Sequence, residues 1–119
     1  MKFCWTTIQV SDLEKSIEFY SQVLGIGPVN RMGVHGHSIA MLGADGEVKL
    51  ELICEEKPLP ESVGTGVSMG FAPANLDDMI SQLTNAGIPV VGPIAPSPHV
   101  RFYFAKDPDG YTVQLVEQK

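Results

Sequence analysis

Histidine and cysteine are the side chains of this sequence most able to hold a metal ion or act as a nucleophile. His35 and His37 are one residue apart, so in a strand both rings would point to one face and could chelate a divalent cation. Their Gly-rich surroundings instead favour a hairpin with solvated histidines, and both interpretations stay open. His99 follows a Pro-rich run, which predicts a loop position at the surface or at the mouth of a cavity.

Cys4 and Cys54 each stand alone in a strand-like run. The sequence has no CxxC motif, and single cysteines of this kind are usually buried thiols. We therefore predict two buried thiols, with a disulfide or a reactive thiol as the alternative.

Two strand-like runs carry charged side chains among apolar ones. In KLELIC, alternation places Lys49, Glu51 and Ile53 on one face, with a carboxylate in their middle. In VRFYFA, Arg101 shares a face with Tyr103, and both are candidate ligand-binding residues. An arginine in this position could hold the carboxylate or phosphate of a ligand, or it could form an outward salt bridge.

These residues belong to two similar halves of the chain. Asp12 and Asn75 occupy equivalent helix-cap positions 63 residues apart (75 − 12), and Gly25 and Gly87 close the two helices 62 apart (87 − 25). Two copies are too few for a solenoid. The repeat therefore predicts one domain over 1–119 built from two modules.

Each module is predicted to be β-α-β-β-β, so that the fold class is α+β. The predicted strands cover 3–10, 29–34, 38–42, 47–54, 67–72, 88–91, 100–105 and 111–117. One continuous helix leads from Ser11 or Asp12 to Gly25, and a second leads from Asn75 to Gly87. Module 1 covers about 1–54, a linker rich in Pro, Gly and charge covers 55–66, and module 2 covers 67–119. The run 92–99, with three prolines, is predicted to be a loop.

Composition restricts the function classes. The 119 residues are 44% hydrophobic and 18% charged, which is ordinary for a soluble globular domain. A net charge of −6 with only eight Lys and Arg argues against a nucleic-acid partner. No apolar run is long enough to cross a membrane, and the first residues lack the apolar core of a secretory signal. We expect a cytoplasmic protein.

The sequence resembles the vicinal oxygen chelate superfamily, which includes glyoxalases, bleomycin-resistance proteins and extradiol dioxygenases. The resemblance rests on VSDLEKSIEFYSQVLGI in the first half and on NLDDMISQLTNAGIPV and FAKDPDGYTVQLVE in the second. It implies two curved sheets around a shared cavity that takes a small-molecule ligand. Because such proteins are usually dimers, it also implies a homodimer.

The metal-dependent members of this family use four ligands, two from each module. The equivalent positions in this sequence are Trp5, Glu51, Ser68 and Gln114. An indole has no lone pair for a metal and a neutral serine hydroxyl is a poor ligand, so only Glu51 retains a charged donor. We predict no metal cofactor, with a metal-dependent glyoxalase or dioxygenase as the alternative.

The resemblance also implies roles for the cavity residues. Glu51 is the predicted catalytic base, with Thr7, Ser68 and Gln114 as hydrogen-bond donors; an exposed or salt-bridged glutamate is the alternative. Trp5 is predicted to stack against a flat ligand or else to belong to the core. The function implied is a lyase or isomerase similar to lactoylglutathione lyase but acting without the metal. A non-catalytic binding protein of the bleomycin-resistance type is the alternative.

Overall fold

The computed structural model describes residues 1–34 and 37–119. The side chains of Val34 and His37 are also outside the description. The predicted alternative in which His35 and His37 chelate a metal therefore lies outside the described residues.

The chain divides into two compact units, Met1–Val63 and Gly64–Lys119. The boundary falls inside the run 55–66, where the sequence predicts a linker. None of the helices in the described part of the chain is long and apolar enough to cross a membrane.

The first unit contains one mixed sheet and one helical segment. Its elements in chain order are β1 (Trp5–Gln9), α1 (Leu13–Ile17), a π-helical segment (Glu18–Val23), β2 (Val29–Val34), β3 (His37–Leu42) and β4 (Lys49–Glu55). The strand order is β1-β4-β3-β2, with β1 parallel to β4 and the other pairs antiparallel.

The second unit repeats this plan. Its elements are β5 (Ser68–Phe71), α2 (Leu76–Asn85), β6 (Val90–Ser97), β7 (Val100–Lys106) and β8 (Thr112–Gln118). The strand order is β5-β8-β7-β6, with β5 parallel to β8. The predicted β-α-β-β-β repeat and the α+β class are confirmed.

The two helices begin and end at the residues that the repeat indicates. The side chain of Asp12 accepts a hydrogen bond from the Lys15 amide at 3.1 Å, and Asn75 does the same for the Asp78 amide at 3.0 Å. Gly25 and Gly87 follow the helices with φ of 78° and 77°, a left-handed conformation that strongly favours glycine.

The first helix departs from the prediction in its second half. Beyond Ile17 the chain is π-helical, and the Leu24 amide bonds the Phe19 carbonyl five residues back at 3.0 Å. The wider turn brings two adjacent aromatic residues to the buried side, where Phe19 and Tyr20 are 5% and 0% exposed. A regular 3.6-residue period predicts only Tyr20 on that side.

The predicted loop over 92–99 is wrong, because β6 continues to Ser97. This strand is at the edge of its sheet and pairs only with β7. An edge strand tolerates proline, which cannot donate a ladder hydrogen bond. The pairing shifts register on both sides of Ile94, and these irregularities accommodate Pro93 and Pro96.

In each unit the helical segment covers one face of the sheet. In the first unit α1 contacts β3 and β4, and in the second α2 contacts β6 and β8. The strand residues of the helix-facing sides form the core: Ile8, Ala40, Leu42, Leu50 and Leu52 in the first sheet, and Ala105, Val113 and Leu115 in the second.

The opposite side of each sheet carries exposed or half-buried side chains. We call these sides the first and second open faces. The first open face includes Trp5, Thr7, Met32, Lys49, Glu51 and Ile53, and the second includes Ser68, Val91, Ile94, Phe104, Lys106, Thr112 and Gln114. Strand alternation assigns each of them to the side away from the core.

Candidate functional site

A hydrogen-bonded pair, Thr7 and Glu51, lies in the middle of the first open face. The two residues are direct neighbours on the parallel strands β1 and β4, and Thr7 Oγ1 donates to Glu51 Oε1 at 2.7 Å. Glu51 is half-buried. Because the hydroxyl holds one carboxylate oxygen, the side chain has a defined orientation and its second oxygen is available to a ligand.

Trp5 lies two residues before Thr7 on the same face. It is 53% exposed. The alternative interpretation, in which Trp5 belongs to the core, is therefore wrong. Its strand neighbour is Lys49, whose Nζ binds Asp45 Oδ1 at 3.2 Å. A large exposed indole beside an oriented carboxylate offers a flat apolar surface and a hydrogen-bond acceptor together.

The second open face carries the equivalent pair, Ser68 and Gln114, 63 residues after Trp5 and Glu51 (68 − 5, 114 − 51). Gln114 is the strand neighbour of Gly70, which occupies the position equivalent to Thr7. The hydroxyl that orients Glu51 therefore has no counterpart beside Gln114. A Cβ atom at Gly70 would lie 3.8 Å from Gln114 Oε1, which is ordinary contact.

Arg101 and Tyr103 lie on the helix-facing side of the second sheet. Arg101 donates to Asp77 of α2 at 3.1 and 3.3 Å and to Glu117 at 3.3 Å. The hydrogen bonds that Arg101 donates, to Asp77 above all and then to Glu117, raise the pKa of its guanidinium group. Tyr103 is the neighbour of buried Leu115. The salt-bridge alternative thus describes Arg101, and neither residue belongs to the open face.

The remaining histidine and the cysteines lie at the surface or near it. His99 is exposed in the turn between β6 and β7, at a pocket of about 150 Å³ that Arg101 and Lys119 also line. Cys4 and Cys54 are free thiols, exposed and half-buried respectively. The prediction of two buried thiols is therefore wrong; Cys4 precedes β1 and lies outside the covered part of the sheet.

The residues at the inherited ligand positions do not fit a metal ion. Trp5 has no lone pair to donate, the Ser68 hydroxyl is a weak neutral ligand, and one oxygen of Glu51 is bound by Thr7. Within 1–34 and 37–119, no group of three or more His, Cys, Asp or Glu side chains could hold an ion. The donor set differs from the combination of imidazole and carboxylate that transition metals prefer.

Two further polar residues of the second open face were missed from the sequence: Lys106 and Thr112. Thr112 lies two residues before Gln114 and directly across from Ser68, and Lys106 lies directly across from Thr112. Strand alternation, extended outward from Gln114, could have found Thr112. Lys106 could be found only with the register between β7 and β8, which the sequence does not give.

The family model described as Glyoxalase/Bleomycin resistance protein/Dioxygenase superfamily matches residues 2–115. The chain belongs to this superfamily. A relative named probable lactoylglutathione lyase, from Vibrio cholerae serotype O1, is 31% identical, over 96% of this chain and 88% of the relative.

Solved structures show the same fold. An antibiotic-binding protein, TnmS3 from Streptomyces sp. CB03234, superposes with a TM-score of 0.81 at 21% identity, covering 100% of this chain and 97% of that protein. A glyoxalase family protein from Bacillus cereus gives a TM-score of 0.84 at 21% identity, covering 99% and 94%.

The donor set predicts that the purified protein binds no transition metal tightly. After dialysis against a mixture of Ni²⁺ and Zn²⁺ and then against buffer, emission spectrometry should find less than about one tenth of an ion per chain. Glu51→Gln should leave that value unchanged. A near-stoichiometric ion in the parent protein that this substitution removes would show that Glu51 is a metal ligand.

Proposed function

We propose that the protein binds a small organic molecule with a flat apolar part on the first open face, without a metal ion. The observation that carries this proposal is the placement of the half-exposed Trp5 indole next to the Thr7–Glu51 pair. Trp5 offers the stacking surface, and Glu51 accepts a hydrogen bond from the ligand.

The physical chemistry supports this choice of ligand. An indole that is half exposed to water gains free energy when an aromatic ring covers it. The free oxygen of Glu51 needs a donor if a ligand displaces its water. A ligand with an aromatic ring and a neighbouring O–H or N–H group would satisfy both residues.

The relatives support only the general function, binding or conversion of a small organic molecule. One structural neighbour is an antibiotic-binding protein, and sequence relatives are named lactoylglutathione lyase. The shared cavity between the two modules that the resemblance implies stays a prediction.

Aromatic ligands should quench the fluorescence of Trp5, which is the sole tryptophan of the chain. Calorimetry should then show that Trp5→Ala weakens the tightest ligand of an aromatic panel by ~1–3 kcal/mol, the scale of a lost aromatic contact.

The matched control is Val48→Ala, because Val48 is an apolar side chain with the same exposed fraction, 53%. It should change the affinity by less than about 0.5 kcal/mol. Equal losses for both substitutions, or no quenching by any member of the panel, would contradict binding on this face.

One observation favours a second candidate function, proton transfer by Glu51. Thr7 orients the carboxylate at 2.7 Å, as expected for a general base that must reach a C–H group of a bound ligand. This function would make the protein an isomerase or lyase that acts without the inherited metal site.

If Glu51 is a base, Glu51→Gln should slow the exchange of an acidic C–H of a bound ligand with D₂O by at least about 10²-fold. The affinity for that ligand should fall much less, by no more than about tenfold, because the amide keeps the shape of the side chain and one acceptor oxygen. Proton NMR measures the exchange, and Thr7→Val should give a smaller loss. The control Glu47→Gln alters an exposed glutamate just before β4; a loss of the same size there would remove the case for Glu51.

We also propose that the chain forms a homodimer. Each open face carries large exposed apolar side chains, Trp5 and Met32 on the first and Val91 and Ile94 on the second, and exposed apolar surface often marks an interface. Sedimentation equilibrium at micromolar concentration should give twice the chain mass, and the mass of one chain would contradict the dimer. The cytoplasm stays the predicted compartment, in keeping with two free thiols.

A further inference from the structure

The second open face contains a lysine with no acidic partner. Lys106, the last residue of β7, is exposed, and its Nζ donates to Thr112 Oγ1 of β8 at 2.6 Å. Within the described part of the chain, no carboxylate oxygen lies within 4 Å of this ammonium group. By contrast, Lys49 of the first open face is paired with Asp45 at 3.2 Å.

The acid nearest to Lys106 in sequence faces another way. Asp107 is 5% exposed, and its Oδ1 accepts from the amides of Asp109 and Tyr111, each at 2.9 Å. This carboxylate organises the turn between β7 and β8. The ammonium group of Lys106 is therefore available to solvent or to a ligand.

The hydroxyls around Lys106 complete a set of donors. Because Thr112 Oγ1 accepts from the lysine, its own proton points elsewhere and is available to an acceptor. Ser68 is the direct neighbour of Thr112 on the parallel strand β5, with an exposed side chain on the same face. One ammonium and two hydroxyls therefore line one row across three strands.

We propose that Lys106, Thr112 and Ser68 form a subsite for the carboxylate of a small organic ligand. This inference goes beyond the proposed function, which concerns the first open face, and its test is separate. The three residues of the subsite contribute one positive charge, that of Lys106, which matches the single negative charge of a carboxylate. A phosphate dianion would need a second cation or a row of backbone amides.

The test is a titration of the isotope-labelled full chain with benzoate, followed by two-dimensional amide NMR. Benzoate should shift the amides of Ser68, Lys106 and Thr112 in a saturable way. Benzamide, its neutral analogue, should bind about tenfold more weakly or worse, the ratio expected for a charge-assisted hydrogen bond. Added salt should weaken only benzoate.

Lys106→Met keeps the length of the side chain and removes its charge, so it should abolish the preference for benzoate. Lys15→Met is the matched control, because it removes an exposed lysine of α1 with the same change in net charge. Thr112→Val should reduce the affinity without abolishing the preference. These results would support the subsite even if the aromatic panel failed to quench Trp5.

Three results would overturn the subsite. The first is an equal response to benzoate and benzamide in the parent protein. The second is a benzoate preference that survives Lys106→Met. The third is tighter binding of inorganic phosphate than of benzoate at the same three amides. None of these would affect quenching of Trp5, so the failure of the subsite is distinguishable from the failure of the proposed function.

Discussion

Each sheet of this protein has four strands but only one helical segment to cover it. Alternation along the strands sends Leu50 and Leu52 to the covered side and Lys49, Glu51 and Ile53 to the other. If the register of β4 shifted by one residue, Glu51 would take the place of a core leucine. The register of β1 against β4 is therefore what both the core and the candidate site depend on.

The same register, repeated 63 residues later (114 − 51), carries different side chains. The first open face has an acid oriented by Thr7 next to an exposed indole. The second has Gln114 next to Gly70 and, one row away, the ammonium group of Lys106, which donates to Thr112. One scaffold thus presents two chemically distinct surfaces, one suited to accept hydrogen bonds and one to donate them.

The sequence predicted most of the scaffold. The caps at Asp12 and Asn75 and the eight strands follow from local chemistry and period, which act within a few residues. The π-helical turn could not be read in the same way, since a regular period brings Tyr20 inward and leaves Phe19 outside. The prolines of 92–97 indicated a loop, but the chain there is part of a strand, because an edge strand tolerates proline.

The candidate site was predictable in part for the same reason. The resemblance implied that Trp5, Thr7 and Glu51 line one cavity, but strand alternation could not distinguish the open side of the sheet from the covered side for Arg101 and Tyr103. That distinction depends on Asp77 of α2, which is 24 residues away in sequence and draws Arg101 to the helix. Placing Lys106 next to Thr112 requires the register between β7 and β8, which no local sequence pattern predicts.

The central claim is that the first open face holds the ligand against Trp5 and Glu51. A crystal structure of the complex with the tightest aromatic ligand tests it most directly. The claim predicts ligand density against the Trp5 indole, with a donor of the ligand about 3 Å from a Glu51 oxygen. Density on a helix-facing side, or a metal ion coordinated by Glu51 in that crystal, would contradict it.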